Sequence, residues 1–252
     1  MYINTSSKEM MELSVCEALN INKEELGDLL ETCYNKFQKD HHVFIIDNQY
    51  DYFYDFVKKH LCMNIDYVMF THLSRRLDDS KCSNCLKDVL LDKSLGLFLK
   101  SYGITFEYDE YLKLFIDNHE VDLNNDYYLN QRLYDDYSLK GFMFSDVLDI
   151  DSYQYGSEII NLLDKYADIV DDFIDKSIFY QFNYLVPLDK VYFDNYDELN
   201  DIDKQYHIIV KTLQRLYFYR YDQDFIYEDE EYIGIYEKYI LKEDELLSKR
   251  EL

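Results

Sequence analysis

Apolar residues recur at helical spacing along several segments of the chain. Asn22 and Glu25 have the spacing of a capping box, which predicts the start of a helix. Its apolar positions are Leu26, Leu29, Leu30, Cys33 and Phe37. The same periodicity predicts helices over residues 50–61, over residues 203–221 and from residue 228 onward. A long amphipathic helix is predicted to begin at Ser157, a residue type that favours the N-cap position.

Extended segments lie between these predicted helices. Short strands are predicted at residues 43–46, 66–72, 141–144 and 178–186. Residues 103–123 alternate apolar and polar side chains on either side of Asp117 and Asn118, which predicts a hairpin, and residues 141–144 are expected to join its sheet. We therefore predict an α+β fold with a small central antiparallel or mixed sheet flanked by amphipathic helices. A single domain over residues 1–252 is expected, with residues 1–40 as a helical N-terminal subdomain.

Charge is the most informative feature of the composition. The chain has 51 acidic and 26 basic residues, and its formal net charge is −25. The electric field of this negative charge repels phosphate backbones and anionic lipid, so direct binding to nucleic acid or a membrane is not expected. It attracts cationic protein surfaces, including those of nucleic-acid-binding proteins. The predicted partner is therefore a basic site on another protein.

The acidic residues concentrate in the middle of the chain. Residues 101–200 hold 22 acidic and 6 basic residues. The predicted helix from Ser157 presents acidic residues opposite its apolar stripe, and we predict partner binding by Asp164, Asp168, Asp171 and Asp175. The helix over residues 203–221 instead carries a basic stripe formed by Lys211, Arg215 and Arg220.

One short segment resembles a known enzyme family. The sequence FTHLSRRL, residues 70–77, places His72 at the end of a predicted strand, followed by Arg75 and Arg76. It resembles the first motif of ADP-ribosyltransferase folds, in which a strand-end residue holds the nicotinamide ribose. The resemblance implies NAD binding by His72, Arg75 and Arg76, an aromatic-Ser strand for which GFMFSD is the match, and Glu158 as the catalytic glutamate. The alternative is a strand-end histidine satisfied by the backbone, with two surface arginines.

Cysteine and histidine spacing offers a metal-site hypothesis. His60 and Cys62 form one pair of zinc-type ligands, and Cys82 and Cys85 form a second. The single residue between His60 and Cys62 differs from the usual spacing of zinc knuckles, and the five cysteines are irregularly placed. We therefore expect reduced thiols, with no zinc and no disulfide.

No familiar catalytic motif accompanies these residues. With 51 acidic residues, adjacent carboxylates are expected by chance, and six glycines leave little material for a phosphate-binding loop. The sequence favours a non-catalytic acidic binding factor without a cofactor, of the inhibitor, anti-defence or immunity type, with nucleic-acid mimicry as a specific version. The alternative is an ADP-ribosyltransferase-like enzyme or toxin domain that uses His72. We expect a cytoplasmic protein, or one that acts in the host-cell cytoplasm if it comes from a virus or mobile element.

Overall fold

A computed structural model of the chain describes residues 1–37, 45–77, 86–91, 93–134, 138–155, 158–194, 199–227 and 229–252. Its helices are α1 (Lys8–Leu19), α2 (Lys23–Phe37), α3 (Ile45–His60), α4 (Leu86–Leu91), α5 (Lys93–Lys100), α6 (Tyr127–Tyr134), α7 (Ile150–Tyr153), α8 (Glu158–Leu163), α9 (Val170–Lys176) and α10 (Asp201–Tyr221). Its strands are β1 (Tyr67–Arg76), β2 (Ile104–Tyr108), β3 (Leu112–Ile116), β4 (His119–Glu120), β5 (Leu139–Phe142), β6 (Ile178–Pro187), β7 (Val191–Phe193), β8 (Tyr232–Ile235) and β9 (Leu246–Glu251). The predicted α+β class is confirmed. None of these described helices is long and apolar enough to cross a membrane.

The larger sheet has six strands in the order β7-β8-β5-β1-β6-β9. β1 and β5 are antiparallel, with Thr71 opposite Phe142. A Cβ on Gly141 would lie 2.4 Å from the carbonyl oxygen of Thr71 and 2.9 Å from the ring of Phe70. Glycine therefore permits the close approach of β5 to β1.

The smaller sheet is an antiparallel meander of β2, β3 and β4. The turn between β3 and β4 has positive φ at Asp117 (48°) and Asn118 (65°), and it pairs Ile116 with His119. Positive φ at both central residues defines the type I′ turn that suits a hairpin. The predicted turn is confirmed, but a second turn separates β2 from β3. β5 belongs to the larger sheet, so the prediction that residues 141–144 join the hairpin sheet is wrong.

The chain folds into two compact units, each assembled from three segments. The first unit comprises residues 1–71, 141–148 and 183–233, and the second comprises residues 72–140, 149–182 and 234–252. The single-domain organisation and the N-terminal subdomain stay predictions.

Helices dominate the first unit, where α10 packs against α3, α1 and α2. The capping box of α2 is present, because the backbone N–H of Asn22 donates to Glu25 Oε2 at 2.8 Å and that of Glu25 donates to Asn22 Oδ1 at 3.0 Å. All five of the apolar positions predicted for α2 are buried. Local capping and periodicity were therefore sufficient to define this helix.

The second unit places helices against the meander sheet. Its apolar core includes Leu112 and Leu114 of β3, Leu129 of α6 and Phe173 of α9. The ring of Phe173 meets that of Phe98 edge-on, with centroids 5.6 Å apart. This core holds α9 and its acidic residues in place.

The prediction of one long helix from Ser157 is wrong. α8 ends at Leu163 and α9 begins at Val170, while Ser157 lies outside the described residues. Asp164 accounts for the interruption, because its Oδ1 accepts the backbone N–H groups of Ile169 (3.0 Å) and Val170 (3.2 Å). A side chain that binds backbone donors in this way competes with helix continuation.

Two further segments differ from prediction. Residues 45–46 begin α3 rather than ending a strand, and residues 43–44 lie outside the described part. Residues 232–235 form β8 rather than the predicted last helix, and Tyr236 and Ile240, which follow β8, are exposed. Pairing in the larger sheet overrides the helical spacing of residues 232–235.

Candidate functional site

The four aspartates predicted to bind a partner have different environments. Asp168, Asp171 and Asp175 are exposed, whereas Asp164 is partly buried and caps α9. Asp171 and Asp175 are one helical turn apart on α9, so their side chains share one face. Asp168 lies in the segment before α9, and we call it, together with Asp171 and Asp175, the α9 acidic face.

A neighbouring aspartate shows how this region is held together. Asp172 binds Lys176 Nζ at 2.5 Å and accepts the hydroxyl of Tyr102. Hydrogen bonds from Lys176 and then from Tyr102 lower the pKa of Asp172. Asp172 is therefore engaged within the unit, and the exposed carboxylates are those of the α9 acidic face.

Two exposed tyrosines lie near the segment that leads into α9. Lys165 forms an ion pair with Asp126, which immediately precedes α6. The next two residues, Tyr127 and Tyr128, are 73% and 70% exposed. Their rings meet edge-on with centroids 5.6 Å apart. The Lys165–Asp126 ion pair thus links the start of α6 to the segment before α9, and both tyrosines are exposed on the second unit.

The residues of the ADP-ribosyltransferase resemblance have structural partners. β1 continues to Arg76, so His72 lies within a strand and not at its end, and its Nδ1 is 2.8 Å from the carbonyl oxygen of Lys140. Arg75 donates to three carbonyl oxygens, those of Gln154, Ile174 and Ser177. Burial lowers the pKa of Arg75. Arg75 therefore joins segments of the second unit rather than projecting a free guanidinium.

Arg76 and Glu158, two further residues of that resemblance, also contact neighbouring side chains. Arg76 is buried, and its guanidinium lies over the ring of Phe182. Glu158 forms an ion pair with Arg132 at 3.3 Å, and its side chain is largely exposed. These contacts give Arg76 and Glu158 local structural roles.

The proposed zinc ligands are only partly described. His60 stacks on Phe56 and its Nδ1 lies 2.8 Å from that residue's carbonyl oxygen, while the Cys62 thiol donates to Ala18 O at 3.1 Å. Cys82 and Cys85 lie outside the described residues. In the part of the chain that the structure describes, no three His, Cys, Asp or Glu side chains are grouped as metal ligands.

A buried polar network on α10 was not predicted from the sequence. His207, Lys211 and Arg215 are spaced four residues apart, so they lie along one helical face. Two of the three predicted basic-stripe residues, Lys211 and Arg215, turn inward, and only Arg220 is exposed. Their partner carboxylates come from distant segments, which a search for local motifs could not find.

Arg215 is the most highly connected residue of this network. Its guanidinium binds both oxygens of Asp146 at 3.1 Å, and it donates to the carbonyl oxygens of Val147, Ile226 and Asp229. The Arg215 side chain is 1% exposed and that of Asp146 is 2% exposed. Paired charges with their hydrogen bonds satisfied can be buried in this way.

His207 and Lys211 extend the network along α10. His207 Nε2 is 2.9 Å from Glu231, and Nδ1 is 2.8 Å from the hydroxyl of Tyr50. A neutral imidazole satisfies both contacts, since Nε2–H donates to the carboxylate and Nδ1 accepts from the hydroxyl. Lys211 lies 3.2 Å from both Asp229 and Glu231.

Burial and neighbouring charges shift the pKa values of this network in opposite directions. Burial opposes the charged form of Lys211, but the charges of Asp229 and Glu231 outweigh it and raise the Lys211 pKa. Burial also opposes ionisation of Glu231, yet the hydrogen bond from His207 and the charge and hydrogen bond of Lys211 hold its pKa below the usual value. For Asp229 burial is the larger effect and raises the pKa. The network holds Ile226, Asp229 and Glu231 against α10, which is a structural role.

A polar cleft of about 320 Å³ lies in the second unit between β3, the segment after β4, and α6. Its lining includes Tyr111, Lys113, Glu120, Asp122, Asn130 and Tyr134. The rings of Tyr111 and Tyr134 stack with centroids 3.9 Å apart. An aromatic wall beside carboxylates can receive a cationic or a polar ligand.

Comparison with known proteins gives no relative from which a function could be transferred. No protein-family model, curated protein or solved structure matches the chain. The exposed side chains and the cleft of the second unit are the features that point to a function.

Proposed function

We propose that the protein is a non-catalytic acidic binding factor that occupies a basic site on another protein. The observation that carries this proposal is the α9 acidic face, where Asp168, Asp171 and Asp175 are all exposed. Negative potential at such a surface speeds the encounter with a cationic partner. An inhibitor or immunity-type factor, including one that mimics nucleic acid, works in this way.

The exposed tyrosines supply the second element of such a surface. Tyr127 and Tyr128 combine a large apolar ring with a polar tip and few rotatable bonds. Aromatic anchors of this kind contribute affinity after the charges have steered the encounter. The proposal therefore assigns the association rate mainly to the α9 acidic face and the lifetime of the complex to the tyrosines.

The test compares two charge reversals that change the net charge equally. In one, Asp168, Asp171 and Asp175 are replaced by lysine. In the matched control, the exposed aspartates Asp47, Asp51 and Asp55 of α3 in the first unit are replaced by lysine. Both variants should fold, since exposed side chains are altered.

The partner is first identified by affinity capture from nuclease-treated extract at low salt, and kinetics are then measured on the purified pair. We expect the α9 variant to associate at least about tenfold more slowly than wild type, and the α3 variant to change much less. Wild-type association should also slow as salt is raised, because salt screens exposed charges. Equal slowing by both variants, or an association rate insensitive to salt, contradicts the proposal, as does failure to capture any protein.

A further inference from the structure

The cleft beside the stacked tyrosines has the size of a site for one side chain or a small ligand. Its volume of about 320 Å³ is near the lower end of the range for ligand sites. Its walls come from β3, the segment after β4, and α6, all within the second unit. Two of these walls are regular elements packed on the apolar core through Leu112, Leu114 and Leu129. The cleft is therefore built on a supported framework.

The aromatic wall already holds a cation of the chain itself. The Lys113 ammonium lies over the Tyr111 ring, 5.6 Å from the centroid, while Tyr134 stacks on the same ring at 3.9 Å. Lys113 also lies 3.5 Å from Asp109, so ring and carboxylate act together on this ammonium. Tyr134, 39% exposed, extends the stack at the cleft. Because Asp109 offsets the Lys113 charge, the electron-rich stack can still attract a cation that also meets the carboxylates of the cleft.

Carboxylates line another side of the cleft. Glu120 and Asp122 are both exposed and both line it. Asp122 Oδ1 accepts the backbone N–H of Asn124 at 3.0 Å, which fixes the orientation of its carboxylate. A planar guanidinium can stack on a tyrosine and donate to carboxylates at the same time, whereas an ammonium is a compact point charge.

We propose that this cleft binds the guanidinium group of an arginine side chain presented by the protein's partner. This inference rests on the proposed function and adds the chemical group that the partner inserts. Stacking against Tyr134 and hydrogen bonds to Glu120 and Asp122 hold the guanidinium. The cleft therefore selects an arginine side chain. The α9 acidic face attracts any positively charged surface and does not select between arginine and lysine.

The probe is N-acetyl-arginine methylamide, titrated into the full-length protein and followed by amide chemical shifts. N-acetyl-citrulline methylamide is the neutral control of nearly identical shape, and a methyl glucoside tests for a sugar site. We expect the arginine probe to shift the amides of residues 111–134 with a dissociation constant of about 1–10 mM, and both controls to bind more weakly. The E120Q/D122N variant, which keeps the side-chain shapes, should weaken binding roughly fivefold.

Equal binding of arginine and citrulline overturns the inference, as does binding that E120Q/D122N leaves unchanged. Saturation by the glucoside at similar concentrations would instead identify a carbohydrate site. The two proposals fail separately. If the arginine probe does not bind but the partner's association still depends on Asp168, Asp171 and Asp175, only the cleft inference falls. If the probe binds but reversal of those three aspartates leaves partner association unchanged, only the α9 acidic face is rejected.

Discussion

Replacing Arg215 by leucine tests whether the buried network stabilises the first unit. The substitution removes the guanidinium while keeping an apolar side chain at a position that is 1% exposed. It leaves the Asp146 carboxylate without the two hydrogen bonds at 3.1 Å, and it removes donors from three carbonyl oxygens. The Asp146 carboxylate then keeps one of these hydrogen bonds, which it accepts from the hydroxyl of Tyr219 at 2.6 Å.

The expected loss of stability follows from the Asp146 carboxylate, which stays buried after Arg215 is replaced. Removing one partner of a buried ion pair costs about 3–5 kcal/mol, because the other charge is left without compensation. For a chain of this size, each kcal/mol corresponds to about 2–4 °C in the melting temperature, so a decrease of about 6–20 °C is expected. Replacing Asp146 and Arg215 together by leucine should cost less than the sum of the single changes, since neither charge is then buried alone.

Urea unfolding followed by circular dichroism and tyrosine fluorescence measures these losses, as the chain has 28 tyrosines and no tryptophan. The urea midpoint should fall while the slope with denaturant stays at the wild-type value. Arg220 on the same helix is the matched control, because its side chain is 42% exposed and lies 3.6 Å from an exposed Glu31. Its replacement by leucine should cost less than about 1 kcal/mol. A similar small loss for Arg215→Leu would refute the argument.

Three further predictions concern single positions. Asn22→Ala should reduce the free energy of unfolding by about 0.5–2 kcal/mol in urea titration, because α2 loses its N-cap acceptor, and a loss near zero would contradict this. Gly141→Ala should lower stability by about 1–3 kcal/mol by the same measurement, since the added Cβ would meet Thr71 O at 2.4 Å; wild-type stability would show that β5 shifts freely. Burial raises the pKa of Cys33 from 9.0 to about 12, which leaves roughly a thousandfold less thiolate at neutral pH, so mass spectrometry after iodoacetamide treatment should show the exposed Cys62 modified before Cys33. Early modification of Cys33 in the folded protein would contradict its burial.

The sequence predicted elements whose signals are local. The α2 cap and its apolar face, the turn at Asp117 and Asn118, and the strand at residues 178–186 all depend on neighbouring residues, and all are confirmed. The interruption at Asp164 was missed, because apolar spacing continues through it and the periodicity does not reveal a side chain that caps the following turn.

The buried network was missed for a different reason. Lys211 and Arg215 have the spacing of a solvated basic stripe, and their partners Asp146, Asp229 and Glu231 belong to other segments. Only the tertiary structure brings these charges together. The α9 acidic face was predicted in part, since its exposed aspartates were identified but its helix was expected to be continuous with α8.

The segmented construction of the two units determines how a binding surface can be mapped. The second unit draws on residues 72–140, 149–182 and 234–252, and the intervening residues belong to the first unit. Strands β1 and β6 each contain residues of both units. Any single truncation that removes one unit therefore also deletes part of the other, so loss of binding in a truncated fragment would report loss of folding. Surface substitutions in the full chain are the appropriate tool for locating the partner's contact points.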